Sequence, residues 1–402
     1  MSRHGAAASP LWVAAALALA AAVPLGLARF SYALLLPPMR ADLGWSYFIA
    51  GAMNTANAAG YLAGALLAPT LLARVGTRTV LLAGNLGTVV LLALHGAVTG
   101  EAALLVLRTL TGAASAASFV SGGLLAARLA GQSAHAGLVL GLYYGGTGVG
   151  IVVSALLVPP LAGRPLPQAW QGAWVALAAV ALAATLVTAL ATRTLAAPPA
   201  ATTQRQAFRW QPFGFGLAGY FMFGLGYIGY MTFVITLLRE QRLAPGLIVA
   251  FYVLLGLAVV ASSWIWAGLL QRWRGGQALA LLNALLALAT LLPVLSAHPL
   301  AVFASGLLFG SVFLSVVAST TALVRHNLPA HAWSGGIAAF TIVFAAGQIV
   351  GPSLVGWVAD GPGGLVAGFA CSAAALGFGS LLAWRQQPLA LKECERQSHA
   401  PA

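Results

Sequence analysis

Arg29 and Arg108 each interrupt an apolar segment long enough to cross a lipid bilayer, and no acidic residue shares their depth. A charged side chain at the centre of a membrane helix costs roughly 2.5–3.5 kcal/mol on insertion scales, so an embedded arginine marks a site until shown otherwise. The guanidinium is a planar fork that holds a carboxylate or phosphate through two parallel hydrogen bonds. The chemistry indicated is reversible binding of an anion that supplies the missing counter-charge. A structural role competes for each residue: Arg108 can cap backbone carbonyls or hold neighbouring helices, and Arg29 can snorkel toward headgroups.

Other polar side chains lie in the same kind of segment. Asn54, Asn57, Tyr61 and Gly64 recur at i, i+3, i+7 and i+10, one helical stripe. Their amides can bind cargo, or serve helix contacts as Asn and Gly often do in membranes. Tyr143, Thr147 and Ser154 share one face, and Tyr220, Phe223 and Tyr227 another, an aromatic lining suited to an organic substrate. Tyrosine near a membrane end belongs to the interfacial belt, which favours the deeper Tyr227 over Tyr220. Gln348, with Thr341 on its segment, is a further candidate. The residues expected to contact substrate are Arg29, Tyr32, Asn54, Asn57, Arg108, Tyr143, Thr147, Tyr227 and Gln348. Ser311, Ser315 and Ser319, spaced by four, read as helix packing.

Several chemistries are disfavoured. An embedded enzyme needs a catalytic pair such as His with Asp or Glu at helical spacing, and the sequence has none. His326 and His331 stand without an acidic neighbour, too few ligands for a metal. Gly146, Gly148 and Gly150 follow no strand, so they form no dinucleotide loop. No cofactor or metal is expected. The net charge of +13 comes from basic residues scattered singly between apolar runs, unlike the basic face that binds nucleic acid. Cys371 and Cys394, one in an apolar segment and one in a polar tail, do not read as a disulfide.

With 60% hydrophobic and 6% charged residues the chain is a polytopic membrane protein. Apolar runs of bilayer length fall at about 11–37, 46–72, 79–98, 102–127, 136–159, 170–191, 212–238, 247–270, 276–296, 299–324, 332–358 and 364–384. The first is too long for a signal h-region and reads as an uncleaved helix. With both termini in the cytoplasm, thirteen of the 19 basic residues fall on that side, four fall outside and two are embedded, as the positive-inside rule requires. Residues 192–211, with Pro198, Pro199 and three arginines, read as a cytoplasmic linker between six-helix halves at 1–191 and 212–384, followed by a cytoplasmic tail at 385–402.

The halves echo each other. Leu71-Leu72-Ala73-Arg74 follows the second segment and Leu269-Leu270-Gln271-Arg272 the eighth; Gly141, Gly145 and Gly150 in the fifth match Gly347, Gly351, Pro352 and Gly356 in the eleventh. Paired halves with special Gly/Pro helices in matching places are the mark of a secondary transporter using alternating access.

With these features the chain resembles the major facilitator superfamily along essentially its whole length. Arg74-Val75-Gly76-Thr77-Arg78 is similar to the signature loop of that family, although Ala73 stands at the position of its Asp. Arg108-Thr109-Leu110-Thr111-Gly112 resembles the helix-four motif. Gly141 to Gly150 resembles the glycine-rich helix-five motif without its Pro, and Gly351-Pro352 supplies one in the eleventh segment. Gly26-Leu27-Ala28-Arg29-Phe30, Leu36-Pro37-Pro38-Met39, Asp42-Leu43-Gly44 and Asn57 through Gly64 look like the YbfB/YjiJ-type branch of bacterial transporters, which supplies a class and no cargo. The resemblance implies an all-α membrane fold of twelve transmembrane helices in two pseudo-symmetric six-helix bundles. It also implies gating or structural roles for Arg74, Gly76, Arg78, Gly112, Gly141, Gly145, Gly150, Arg272, Gly347, Gly351 and Pro352. In that fold the first and fourth helices line the cavity. Counting about 1.5 Å per residue puts Arg29 roughly 12 Å from the outer end, before Pro37, and Arg108 roughly 9 Å in.

The expectation is a transporter of a small organic anion such as a monocarboxylate, a functional monomer in the bacterial cytoplasmic membrane, working by facilitated diffusion, exchange or proton symport. His95 and Glu101 are the titratable groups nearest a proton path. Proton-coupled efflux of neutral or amphipathic compounds is the alternative, weakened because Asp42, Glu101, Glu240 and Asp360 lie at helix ends or loops and Glu393 and Glu395 in the tail, none central. A membrane sensor is disfavoured by the absence of a sizeable soluble domain.

Overall fold

The computed structural model describes residues 10–133, 135–194 and 209–389. Most of the expected linker at 192–211 and tail at 385–402 lies outside the described residues. Twelve helices are long and apolar enough to span a membrane: α1 (Leu11–Leu43), α2 (Tyr47–Val75), α3 (Thr77–His95), α4 (Glu101–Gly131), α5 (Ala136–Ala162), α6 (Ala169–Ala191), α7 (Gln211–Glu240), α8 (Pro245–Arg272), α9 (Gln277–Leu295), α10 (Pro299–Asn327), α11 (Trp333–Ala359) and α12 (Gly364–Trp384). The described residues contain no strand. α1 and α7, the first helix of each six, are the most completely buried.

Eleven helices match the expected limits to within about a turn. α1 departs, because it runs through Pro37 and Pro38 to Leu43. Two prolines withhold two backbone donors, which membrane helices tolerate when neighbouring helices cover the site. The helix stops at Gly44, whose φ of +66° suits a residue without a Cβ, and Ser46 then starts α2 by accepting a hydrogen bond from the Ile49 N–H at 3.2 Å.

The middle of α1, Ala22–Phe30, is wound as a π-helix. Pro24 lacks an N–H, and the Ser31 N–H reaches back five residues to the Gly26 carbonyl at 3.2 Å. π-turns inside α-helices recur at functional sites. Arg29 lies in this stretch.

Small residues set the helix approaches, because lipid tails are as apolar as leucine and association depends on close packing. The glycines of α5 serve two faces. A Cβ at Gly150 would press on Ala22 and Gly26 of α1, whereas one at Gly141 or Gly148 would meet Trp264 or the Gly256 carbonyl of α8. α2 lies against α4 so closely that a Cβ at Gly112 would collide with the Asn57 carbonyl and one at Gly60 with that of Thr109. Gly347 and Gly351 of α11 pack on α7, while Gly51 of α2 meets Pro352 and Gly356 of α11 meets Tyr47. The contacts α2–α11 and α5–α8 are equivalents under exchange of the two sixes, and they join the bundles.

Candidate functional site

Arg108, on α4, is 1% exposed and fully engaged by protein. Nε donates to the Met53 carbonyl at 3.3 Å, Nη1 to that of Ala28 at 3.1 Å, and Nη2 to Asn54 Oδ1 at 2.5 Å. Its guanidinium lies 4.5 Å from the Tyr32 ring centroid, and the Tyr32 hydroxyl donates to the Ala50 carbonyl at 2.9 Å. One arginine thus ties α4 to α1 and α2. Asn54 carries the chain onward, donating from Nδ2 to Thr232 Oγ1 of α7 at 2.8 Å and so reaching the second bundle. Asn57 donates to the Arg108 carbonyl at 3.1 Å, and its Oδ1 is buried without a partner.

Arg29 has the opposite environment. It is 4% exposed, so it does not snorkel, and its Nε and Nη2 are buried with no hydrogen-bond partner. Its contact as a cation is the Tyr61 ring of α2, 5.5 Å away at the centroid. The next residue, Phe30, packs edge-to-face on Phe313 of α10 at 5.7 Å, and Phe313 in turn stacks on Tyr227 of α7 at 6.1 Å. The acidic side chains among the described residues, Asp42, Glu101, Glu240 and Asp360, all sit at helix ends. A buried cation without a counter-ion carries a desolvation penalty of several kcal/mol that a bound anion would offset.

The second bundle faces Arg29 with rings. Tyr227 accepts a hydrogen bond from Gln348 Nε2 of α11 and stacks on Phe223 at 4.7 Å. Phe344 of α11 stacks on Tyr220 at 4.9 Å and on Phe223 at 5.3 Å.

Tyr227 and Gln348 therefore come together on the second bundle, Arg29 packs on Tyr61 of the first, and Tyr32, Asn54, Asn57 and Arg108 form an adjoining polar layer. Tyr143 turns its hydroxyl to the Phe119 carbonyl of α4 at 2.6 Å. Thr147 is buried beside Gly26 with Oγ1 unpartnered, and Ser154 donates to the Gly150 and Gly26 carbonyls at 2.8 and 3.3 Å. Thr341 is exposed. His95 is buried against Trp174, with Nδ1 2.7 Å from the Leu91 carbonyl. Among the described residues no group of three His, Cys, Asp or Glu side chains is placed to hold a metal. Tyr61, noted in sequence only as part of a stripe, and Phe344 and Thr232, which carried no signal, complete the site.

In the signature loop Gly76 turns with φ of +82°, and Arg78 donates to the Ala189 carbonyl at 2.9 Å and to Thr192 Oγ1 at 3.3 Å, capping the end of α6. Arg74 and its counterpart Arg272 are exposed.

At the opposite end Asp360, following α11, accepts from the Tyr47 and Phe48 N–H groups at 2.8 and 2.9 Å. A carboxylate on the positive N-terminus of α2 is electrostatically favoured. Tyr47 donates its hydroxyl to Glu240 of α7, and Arg40 lies 3.7 Å from the Tyr47 ring centroid. Thr55 Oγ1 donates to the Ile349 carbonyl at 2.7 Å about two turns further in. This end of the molecule is closed between the bundles.

No curated protein matches the chain by sequence. Solved structures of the same fold include the nucleoside transporter NupG (14% identity, covering 93% of this chain and 97% of that one, TM-score 0.68), the human organic anion transporter MFSD10 (TETRAN) (16%, 93% and 99%, 0.64) and a bacterial homolog to the human lysosomal transporter Spinster in an inward-facing and unoccupied conformation (13%, 94% and 96%, 0.66). These identities speak for the fold alone. Residues 21–384 match the family model described as "Uncharacterised MFS-type transporter YbfB", so the chain, with its twelve helices, belongs to that family of major facilitator transporters.

Proposed function

We propose that the protein carries a small organic anion, such as a monocarboxylate, across the bacterial cytoplasmic membrane, and that Arg29 is the group that binds it. The observation that supports this is the buried Arg29 guanidinium, with two nitrogens lacking any hydrogen-bond partner among the described residues. Arg108 is the positioning residue. Its three bonds hold α1 and α2 so that the π-helical stretch presents Arg29 to the second bundle.

In this reading the Asp360 end faces outward, the termini lie in the cytoplasm, and the halves 1–191 and 212–384 rock about the linker at 192–211 in a functional monomer. An anion on Arg29 also meets Tyr227 and Gln348, groups of the other half, so cargo holds the halves together at the site while either end opens. Parting the Asp360 end requires α11 to release the N-terminus of α2 and Asn54 to release Thr232.

The test is thermal stabilisation of the purified protein by a panel of organic anions, cations and neutral solutes, repeated with Arg29→Gln and Arg29→Lys. Saturable stabilisation by an anion, lost in the glutamine variant and partly kept in the lysine variant, is expected. Equal stabilisation of all three proteins by neutral or cationic compounds would overturn the proposal.

A further inference from the structure

We infer that the anion is flat and aromatic, an aryl carboxylate whose carboxylate meets Arg29 and whose ring lies against the parallel rings of α7 and α11; the inference rests on the anion reading above. Its basis is the geometry of the wall opposite Arg29. Phe223 and Phe344 are inclined by 9°, Tyr220 and Phe344 by 19°, and Phe223 and Tyr227 by 19°. Phe313 of α10 continues the series, 6.1 Å from Tyr227 and inclined by 11°. Elsewhere in this molecule both arrangements occur, edge-to-face in Phe30–Phe313, Tyr47–Phe233 and Phe213–Phe340 at 86°, 76° and 86° and stacked in Tyr230–Phe309 at 11°, but here one half-buried ring, Phe344, stacks on three others, Tyr220, Phe223 and Tyr227. A packed core accepts either arrangement. Near-parallel rings drawn from two helices form a surface that another flat ring extends.

Burial orders that surface. Phe223 is fully enclosed, whereas Phe344 on the second bundle and Tyr61 on the first are only half-buried, so these two rings are available to a ligand. Arg29 lies 5.5 Å from the Tyr61 ring centroid, and the next residue, Phe30, packs on Phe313, the α10 end of the ring series, so the cation stands at the junction of the two aromatic surfaces. A ligand satisfying both needs negative charge at one edge and an aromatic face a few ångströms away. A saturated ring of equal size would bury similar area without the offset stacking, and a neutral aromatic would leave the guanidinium unpaired. Aromatic pairing adds about 0.5–1.5 kcal/mol beyond area burial, a preference of roughly two- to tenfold for one stacked contact.

The experiment compares benzoate, cyclohexanecarboxylate and benzamide on the full-length protein in lipid nanodiscs by titration calorimetry. Benzoate is expected to bind roughly two- to tenfold more tightly than cyclohexanecarboxylate, with benzamide undetected. Phe344→Leu should equalise the two carboxylates while retaining both, and Arg29→Gln should abolish both. Phe344→Met gives the same readout should the leucine variant lose its cooperative melt. Equal affinities for the two carboxylates, both dependent on Arg29, would overturn the aromatic inference and leave the anion reading intact. Binding that is absent, or indifferent to Arg29→Gln, would overturn the anion reading itself.

Discussion

Removing the Asp360 carboxylate should open the end of the molecule that it closes. The side chain accepts two hydrogen bonds from the first N–H groups of α2, at 2.8 and 2.9 Å, and so joins the last turn of α11 to the other bundle. Bonds to a charged group contribute about 1.5–3 kcal/mol when sheltered, but Asp360 is exposed, and a charge at an exposed helix terminus is worth only about 0.3–1 kcal/mol. Two such bonds give about 0.6–2 kcal/mol, or roughly a 3- to 30-fold change in the ratio of closed to open. Spin labels at Ala41→Cys and Gly361→Cys, with Cys371 and Cys394 replaced by Ser, report the separation of α1 and α11 at this end. Asp360→Ala should enlarge the long-distance population by that factor. Asp360→Asn keeps one good acceptor and should fall between. An unchanged distance distribution in Asp360→Ala would refute the idea that this cap holds the bundles together.

Two further substitutions probe the polar layer and the packing beneath it. Asn54→Ala takes an acceptor from Arg108 and a donor from Thr232, both buried, and should lower unfolding stability by about 1–3 kcal/mol, read as a reduced melting midpoint in detergent. Gly60→Ala sets a methyl against the Thr109 carbonyl and backbone, where nothing flexible can yield, and should reduce the midpoint by the equivalent of about 1–3 kcal/mol; an unchanged midpoint would show that α2 and α4 are free to separate.

The twelve helices were legible because the bilayer demands about 20 apolar residues per span, a constraint written locally in the chain. Pro37 and Pro38 misled the limit of α1, since a proline pair reads as a stop in isolation and its lost donors matter less in a packed membrane bundle. The closing cap was not legible. Asp360 meets N–H groups 313 and 312 residues earlier in the chain, and nothing near either partner signals the other. The parallel rings were half legible: Tyr220, Phe223 and Tyr227 declare a shared face by spacing, but Phe344 joins them only through the crossing of α7 and α11.

The two arginines show where a sequence argument reaches its limit. Read along their helices they are alike, each a lone cation in an apolar run. The fold makes them unlike by converging the Ala28 and Met53 carbonyls and Asn54 Oδ1 on Arg108 and bringing no acceptor to Arg29. That division follows from what a reversible anion site requires. If Arg29 had its own carboxylate, an incoming anion would have to displace it, and the gain on binding would shrink to a difference between two similar pairs. If both arginines were free, two buried cations would lack acceptors in the empty protein and neither desolvation penalty would be offset. Fixing one cation among backbone carbonyls keeps the helices in register, and leaving the other unmatched reserves its two open nitrogens for cargo. Charge removal should therefore act differently at the two positions: Arg29→Gln should abolish anion binding while leaving the melting midpoint unchanged or raised, and Arg108→Gln should lower the midpoint with or without ligand.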